Sequence, residues 1–193
     1  KGGREDLTSG HGPHEMMMGS EKTLRLILGD QLNAAHSWFR QPDVRVTYVI
    51  MEIRQETDYV KHHIQKVASF FAAMRAFADH LRRQGHGVVY LRLDDPENRQ
   101  TIRGNIRHLL QAKGFRRFEY LLPDEHRLDG QLQDLGASLT VPCAARDTEH
   151  FLTERGELQG MFAGKKRFLM ESFYRRMRKR VDVLMEGPKP VGG

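Results

Sequence analysis

Asp30, Glu52 and Glu56 are the side chains of this sequence best placed to do chemistry. Asp30 follows an apolar run at 24–28 and stands in Gly29-Asp30-Gln31-Leu32-Asn33. Glu52 and Glu56 follow a second apolar run, at 44–51, in Met51-Glu52-Ile53-Arg54-Gln55-Glu56, with Tyr59 just beyond. Carboxylates and amides in such a group suit hydrogen bonding to hydroxyls or ring N–H groups, and they suit phosphate poorly. Taken alone, the same residues read as well as a helix cap at Asp30 and solvated loop groups at Glu52 and Glu56.

The elements that must hold these residues are legible from periodicity. Residues 24–28 and 44–51 read as strands, the second mostly apolar as in a parallel strand covered on both faces. Val60, Ile64, Val67, Phe71, Met74, Ala78 and Leu81 form one helical stripe, predicting a helix over 57–84 that ends near Gly85. Lys61, Gln65, Arg75, Asp79 and Arg82 lie off the stripe and are expected to face water. Residues 88–93 form a third strand. Asp94-Asp95-Pro96 is expected to open a helix carrying Ile102, Ile106, Leu109 and Leu110 and closing at Gly114. A strand at 118–122, a helix at 127–135, a short strand at 138–141 and a basic helix at 166–185 complete the pattern. Alternating strands and helices indicate an α/β, doubly wound (Rossmann-like), five-stranded parallel sheet flanked by helices. In such a sheet a ligand sits beyond the carboxyl ends of the strands, so the loops after the first two strands should border one crevice.

Several chemistries lack their residues. No G-x-G-x-x-G or P-loop follows the first strand, and no Ser or Cys stands in a nucleophile elbow. His62 and His63 are adjacent, about 100° apart on a helix, and so share one ion poorly. His11 and His14 would make a weak metal site in a glycine-rich segment. Cys143, the single cysteine, excludes an internal disulfide and any cysteine-based zinc or iron–sulfur site within this chain. Asp124-Glu125-His126-Arg127 falls where a strand-end loop becomes a helix, and acids belong at a helix N-terminus.

With 39% hydrophobic and 29% charged residues, the composition suits a globular protein. No run is long enough to span a bilayer and no signal-peptide pattern appears, so a membrane partner is not expected and a reducing cytoplasm is. The net charge of +6 is concentrated at 165–180, which holds eight basic residues and one acid, Glu171. Lys165, Lys166, Arg175 and Arg178 there are candidates for nucleic-acid phosphates or for contact with another domain. The third reading is a solvated face over Phe168, Leu169, Phe173, Met177, Val181 and Leu184.

Read in order, these segments resemble the deoxyribodipyrimidine photolyase-related family, the bacterial iron–sulfur photolyases and cryptochromes. The resemblance is carried by Leu26-Ile27-Leu28-Gly29-Asp30-Gln31-Leu32, Tyr59-Val60-Lys61-His62-His63-Ile64, Phe70-Phe71-x-Ala73-Met74-Arg75 and Leu93-Asp94-Asp95-Pro96-x-Asn98. Pro123-Asp124-Glu125-x-Arg127 and Met170-Glu171-x-Phe173-Tyr174-Arg175-x-Met177-Arg178 continue it. It implies the fold of a photolyase N-terminal domain, over 22–160, that binds a light-harvesting antenna, 6,7-dimethyl-8-ribityllumazine. Gly29, Asp30, Gln31, Met51, Glu52, Glu56 and Tyr59 would line that pocket. Residues 161–193 would be the basic helix and the start of a linker, and 1–21 a leader or unstructured tail. The resemblance further implies a following helical domain with FAD and a four-iron cluster, light-driven repair of (6-4) photoproducts in UV-damaged DNA, and, in some members, photoreception. Since this chain stops at Gly193, it is expected to be catalytically inactive alone. A stand-alone doubly wound protein binding a nucleotide or flavin-like ligand is the rival reading.

Overall fold

The computed structural model describes residues 21–191, so His11, His14 and nearly all of the expected leader lie outside the described residues. The chain divides into two compact units, one ending at His150 and one beginning at Phe151.

The first unit is built on five strands: β1 (Thr23–Leu26), β2 (Val46–Met51), β3 (Gly87–Leu91), β4 (Arg117–Leu121) and β5 (Cys143–Arg146). All pair in parallel, in the order β3-β2-β1-β4-β5. The chain winds outward from β1 through β2 to β3, then crosses to β4 on the other side of β1. This reversal puts the switch point between β1 and β4. The doubly wound parallel sheet expected from the alternation of elements is what forms.

Strand periodicity splits the core into two layers. Val46, Tyr48 and Ile50 of β2 pack with Ile27 against Met74, Phe77, Ala78 and Leu81 of α2 (Ile64–Arg83). Val49 and Met51 point the other way and join Leu24, Leu26, Phe118 and Tyr120. They meet Ile106 and Leu109 of α3 (Ile102–Lys113) and Leu132 and Leu135 of α4 (His126–Ala137). Gly114, at φ 66°, ends α3, and Gly85, at φ 89°, follows α2, both in the left-handed region that glycine tolerates.

Three elements of this unit differ from expectation. The long helix does not begin at Thr57. Residues Arg54–Thr57 form a single turn, α1, and α2 starts afresh at Ile64, where the His63 ring accepts the Gln65 N–H at 3.2 Å. Asp94-Asp95-Pro96 makes turns rather than a helix. The Asn98 side chain donates to the carbonyls of Glu52 (2.6 Å) and Arg92 (2.8 Å), and α3 waits for Thr101, whose hydroxyl caps Gly104 N–H. Residues 138–141 are not a strand, because the Ser138 hydroxyl donates to the Leu135 carbonyl and finishes α4; pairing with β4 begins at Cys143. Leu139 and Val141 still pack on the core, which explains the apolar pattern that suggested a strand.

In the second unit, α5 (Glu157–Met161) precedes α6 (Met170–Val181), shorter at both ends than the expected 166–185. Asp182 and Leu184 take positive φ, and the chain turns into a hairpin of β6 (Met185–Glu186) and β7 (Lys189–Pro190). Met177 is the buried residue of α6.

Candidate functional site

The carboxyl ends of β1 and β2 open onto a cavity of about 230 Å³. Its floor and its rim differ in chemistry. Ile27, Leu28, Met51, Ile53, Met74, Ile102 and Leu128 line it and are buried. Asp30, Tyr59 and Lys66 line it and are exposed, while Glu56, His62 and Glu125 are intermediate. An apolar, enclosed base with a few polar groups at the mouth is the usual character of a small-molecule pocket.

Gly29 allows this cavity to exist in its present shape. A Cβ there would lie 3.0 Å from Met74 Sδ and 3.4 Å from Phe70 Cδ1, so β1 and α2 approach across it. The first half of α2 leaves Val67 and Phe71 only partly covered, because the cavity occupies the space that core would fill further along. Phe70, off the expected stripe, also lines the cavity.

Of the seven residues expected to line the pocket, Gly29, Asp30, Met51, Glu56 and Tyr59 do so. Gln31 and Glu52 stand elsewhere. Gln31 is buried; its Oε1 accepts Leu28 N–H at 3.0 Å and its Nε2 donates to the Leu121 carbonyl at 3.2 Å. It ties the β1 loop to the end of β4. The Glu52 side chain is fully buried and accepts four hydrogen bonds, from Arg75 at 2.6 and 2.9 Å, Tyr90 Oη at 2.6 Å and Leu93 N–H at 3.0 Å. Burial pushes this carboxyl up, but the donors from Arg75, Tyr90 and Leu93 outweigh it and hold it below the ordinary glutamate range. Tyr90 is pushed well up, by burial first and then by this carboxylate. Glu52 therefore joins β2, β3 and α2 behind the pocket, and Arg75, half exposed as its place off the stripe predicts, is its partner.

At the mouth, Arg127 is the organising side chain. It donates to Glu56 at 2.9 Å and to Glu125 at 2.7 Å, and its guanidinium carbon lies 4.3 Å from the centre of the Tyr59 ring. Because β4 neighbours β1, this arginine joins the segment after β2 to the segment after β4 across the switch point. Glu56 is further placed by Gln55, which donates to it at 3.1 Å and accepts Ile102 N–H at 3.0 Å. Asp30 has a raised pKa, chiefly from partial desolvation at the pocket mouth and then from the neighbouring carboxylates Asp124 and Glu125, partly offset by its own backbone N–H and by His150.

Sequence reasoning missed Arg127, Glu125, Leu128 and Lys66 as parts of this site. Glu125 and Arg127 had been read as ordinary helix-terminus charges. Only the strand order brings them to the pocket. Among the described residues no group of three or more His, Cys, Asp or Glu is arranged to hold a metal ion. His62 lies edge-on to Tyr59, ring centres 5.2 Å apart, while His63 caps α2.

The basic segment is partly committed to its own unit. Arg175 pairs with Glu171 at 2.6 Å, and Arg178 donates to the carbonyls of Val183 and Leu184, just beyond the end of α6. Lys165 and Lys166 are exposed. Among the described residues no helix is long and apolar enough to cross a membrane.

Fold and pocket together define a class: a doubly wound α/β domain with a small-molecule-sized cavity beside its switch point. The chain matches the deoxyribodipyrimidine photo-lyase-related protein family over residues 25–193, and it belongs to that family. It is similar to a (6-4) photolyase of Agrobacterium fabrum (strain C58 / ATCC 33970), 36% identical over 171 residues that cover 88% of this chain and 34% of the relative. The chain thus spans about a third of that relative's length. An uncharacterized protein, R852, of Acanthamoeba polyphaga mimivirus is 23% identical over 180 residues, 89% of each chain.

Proposed function

We propose that this chain is the light-harvesting, chromophore-binding domain of a photolyase-related protein, and that its pocket takes 6,7-dimethyl-8-ribityllumazine. The observation that carries the reading is the graded cavity beyond β1 and β2, apolar at the base and rich in acceptors at the mouth. The residues fit such a group. Ile27, Met51 and Met74 offer apolar surface to a ring, Gly29 leaves room for it, and Asp30 and Glu56 are acceptors for hydroxyl or ring N–H donors. The chemistry this group supplies when bound is absorption of light and its dipolar transfer to a flavin. The protein's part is to orient the ligand and exclude quenching water; no acid–base step is assigned to these residues.

The single cysteine, Cys143, cannot supply the thiolates of a four-iron cluster. FAD, the cluster and the repair of (6-4) photoproducts in UV-damaged DNA are therefore assigned to further residues of a longer protein, and this chain alone should repair nothing. Lys165, Lys166 and Arg175 are the side chains proposed to meet DNA phosphate or that further domain.

Titrating the chain with the lumazine and following fluorescence polarisation tests the proposal. Saturable binding is expected, weakened about tenfold or more by Asp30→Ala or Glu56→Ala, since a hydrogen bond to a charged group is worth about 1.5–3 kcal/mol. No saturable binding, or binding indifferent to both substitutions, would overturn it. A second reading, a stand-alone ligand-binding domain, is favoured by the mimiviral relative, 89% of which lies within the match. Excitation spectra decide between the two. Lumazine absorption that appears in the emission of a flavin on the same polypeptide supports the antenna, and its absence supports the rival.

A further inference from the structure

We infer that this pocket selects an unphosphorylated polyol ligand and rejects its phosphate ester, through the acidic rim formed by Asp30, Glu56 and Glu125. The inference rests on the proposed function and specifies its ligand class. Three features of the fold support it independently.

First, β1 is not followed by a helix. Residues between β1 and β2 contain only the short 3-10 turn Ser37–Phe39. The helix N-terminus that holds phosphate after the first strand of many doubly wound domains is missing. Second, of the three long helices whose first turns line the cavity, α2 through Lys66, α3 through Ile102 and α4 through Leu128, α4 already carries acid at its N-terminus. Glu125 is its N-cap residue and Asp129 lies in its first turn. Those carboxylates occupy the field that would otherwise favour an anion. Third, the exposure gradient puts the polar end of an amphipathic ligand at the rim, among Asp30, Glu56 and Glu125 with Asp124 close by. Arg127 is shared between Glu56 and Glu125, one cation for two acids. Among the described residues Lys66, on the α2 wall, is the one lysine or arginine that lines the cavity, with the His62 ring nearby. A phosphate carrying nearly two negative charges at pH 7 meets net repulsion there, whereas ribityl hydroxyls find acceptors.

The test compares 6,7-dimethyl-8-ribityllumazine with its 5′-phosphate on the full chain, a pair differing only in that group. At low ionic strength the phosphate ester should bind at least about tenfold more weakly, about 1.4 kcal/mol. Added salt should narrow the gap, because the charges at the mouth are accessible to it. Asp30→Asn and Glu125→Gln should each narrow the ratio of affinities about threefold or more, and Lys66→Gln should widen it. Equal affinities for the two ligands, or a ratio unmoved by both Asp30→Asn and Glu125→Gln, would overturn the selectivity while the antenna reading stands. Failure of the unphosphorylated lumazine to bind would take down both.

Discussion

The two sides of the crevice use the same residue types for opposite ends. Behind the pocket, Glu52 is sealed from water and every donor around it is aimed at one carboxylate: Arg75, Tyr90 and the Leu93 N–H. At the mouth, Asp30, Glu56 and Glu125 are partly solvated, and Arg127 is divided between two of them. The first arrangement is saturated and joins β2, β3 and α2. The second has acceptor capacity to spare and lies where a ligand would enter. A carboxylate's role here follows from how completely its lone pairs are used, not from its distance along the chain to the strand end.

Removing a carboxylate from each side should separate these roles most sharply. Glu52→Ala would leave the Arg75 head group and the Tyr90 hydroxyl without their acceptor. Breaking a buried pair costs about 3–5 kcal/mol, and the low end of that range is expected because Arg75 is half exposed and can turn toward water. Glu56→Ala breaks a pair in which both side chains are 30% exposed, and should cost less than about 1 kcal/mol. Urea denaturation of the two variants measures the difference. Equal losses would mean that the mouth is as much a structural joint as the strut behind it.

That contrast was only half legible in the sequence. The β1 and β2 runs, the α2 stripe and Gly29-Asp30 located the crevice, because strand and helix periods are local properties. Glu52 and Glu56 looked alike in that reading. Strand alternation does separate Glu52 from Met51, and carries it to the face where Ile50 meets α2. Arg75, lying off the stripe on that helix, was the available clue to its partner. Arg127 was out of reach in a different way. Its position at the mouth depends on β4 pairing with β1, a contact 94 residues long in sequence at Arg25 and Glu119. The break between α1 and α2 was hidden too, since Val60 and Ile64 continue the helical period although both are exposed. Tyr59 owes its place beside Arg127 to that break.

Acid should test the strut from another direction. The Glu52 carboxyl is held below its ordinary value of 4.5, so the unfolded chain takes up this proton first. Its contribution to stability is present above pH 4.5, and is lost as pH falls through the lowered folded value. In Glu52→Gln, unfolding free energy should therefore vary less over that acid window than in the parent chain. An unchanged acid slope would show that the Arg75 pairing does not govern this carboxyl.

Gly29→Ala probes the floor between the two sides. The added Cβ would press on Met74 Sδ at 3.0 Å and on Phe70 Cδ1 at 3.4 Å. A thioether can shift, so the stability cost should stay near about 1 kcal/mol. Ligand affinity should fall more, because the displaced Met74 side chain moves into the cavity it lines. A binding titration and a melt on the same sample compare the two effects. Intact affinity would mean that the ligand does not reach the base of the pocket.

The smallest effect should have the opposite sign. Asp30 has its carboxyl raised above the ordinary 3.8, by partial desolvation first and then by Asp124 and Glu125. A raised acid contributes stability below 3.8 and loses it as pH rises through the folded value, so at neutral pH its ionised form is a burden on the folded chain. Asp30→Asn should leave stability at pH 7 unchanged or slightly higher, by at most about 0.5 kcal/mol. The same variant should lose ligand affinity, and that pairing of a gain in stability with a loss of binding marks a residue kept for its ligand. A loss of stability comparable to that of Glu52→Gln would instead place Asp30 with the strut.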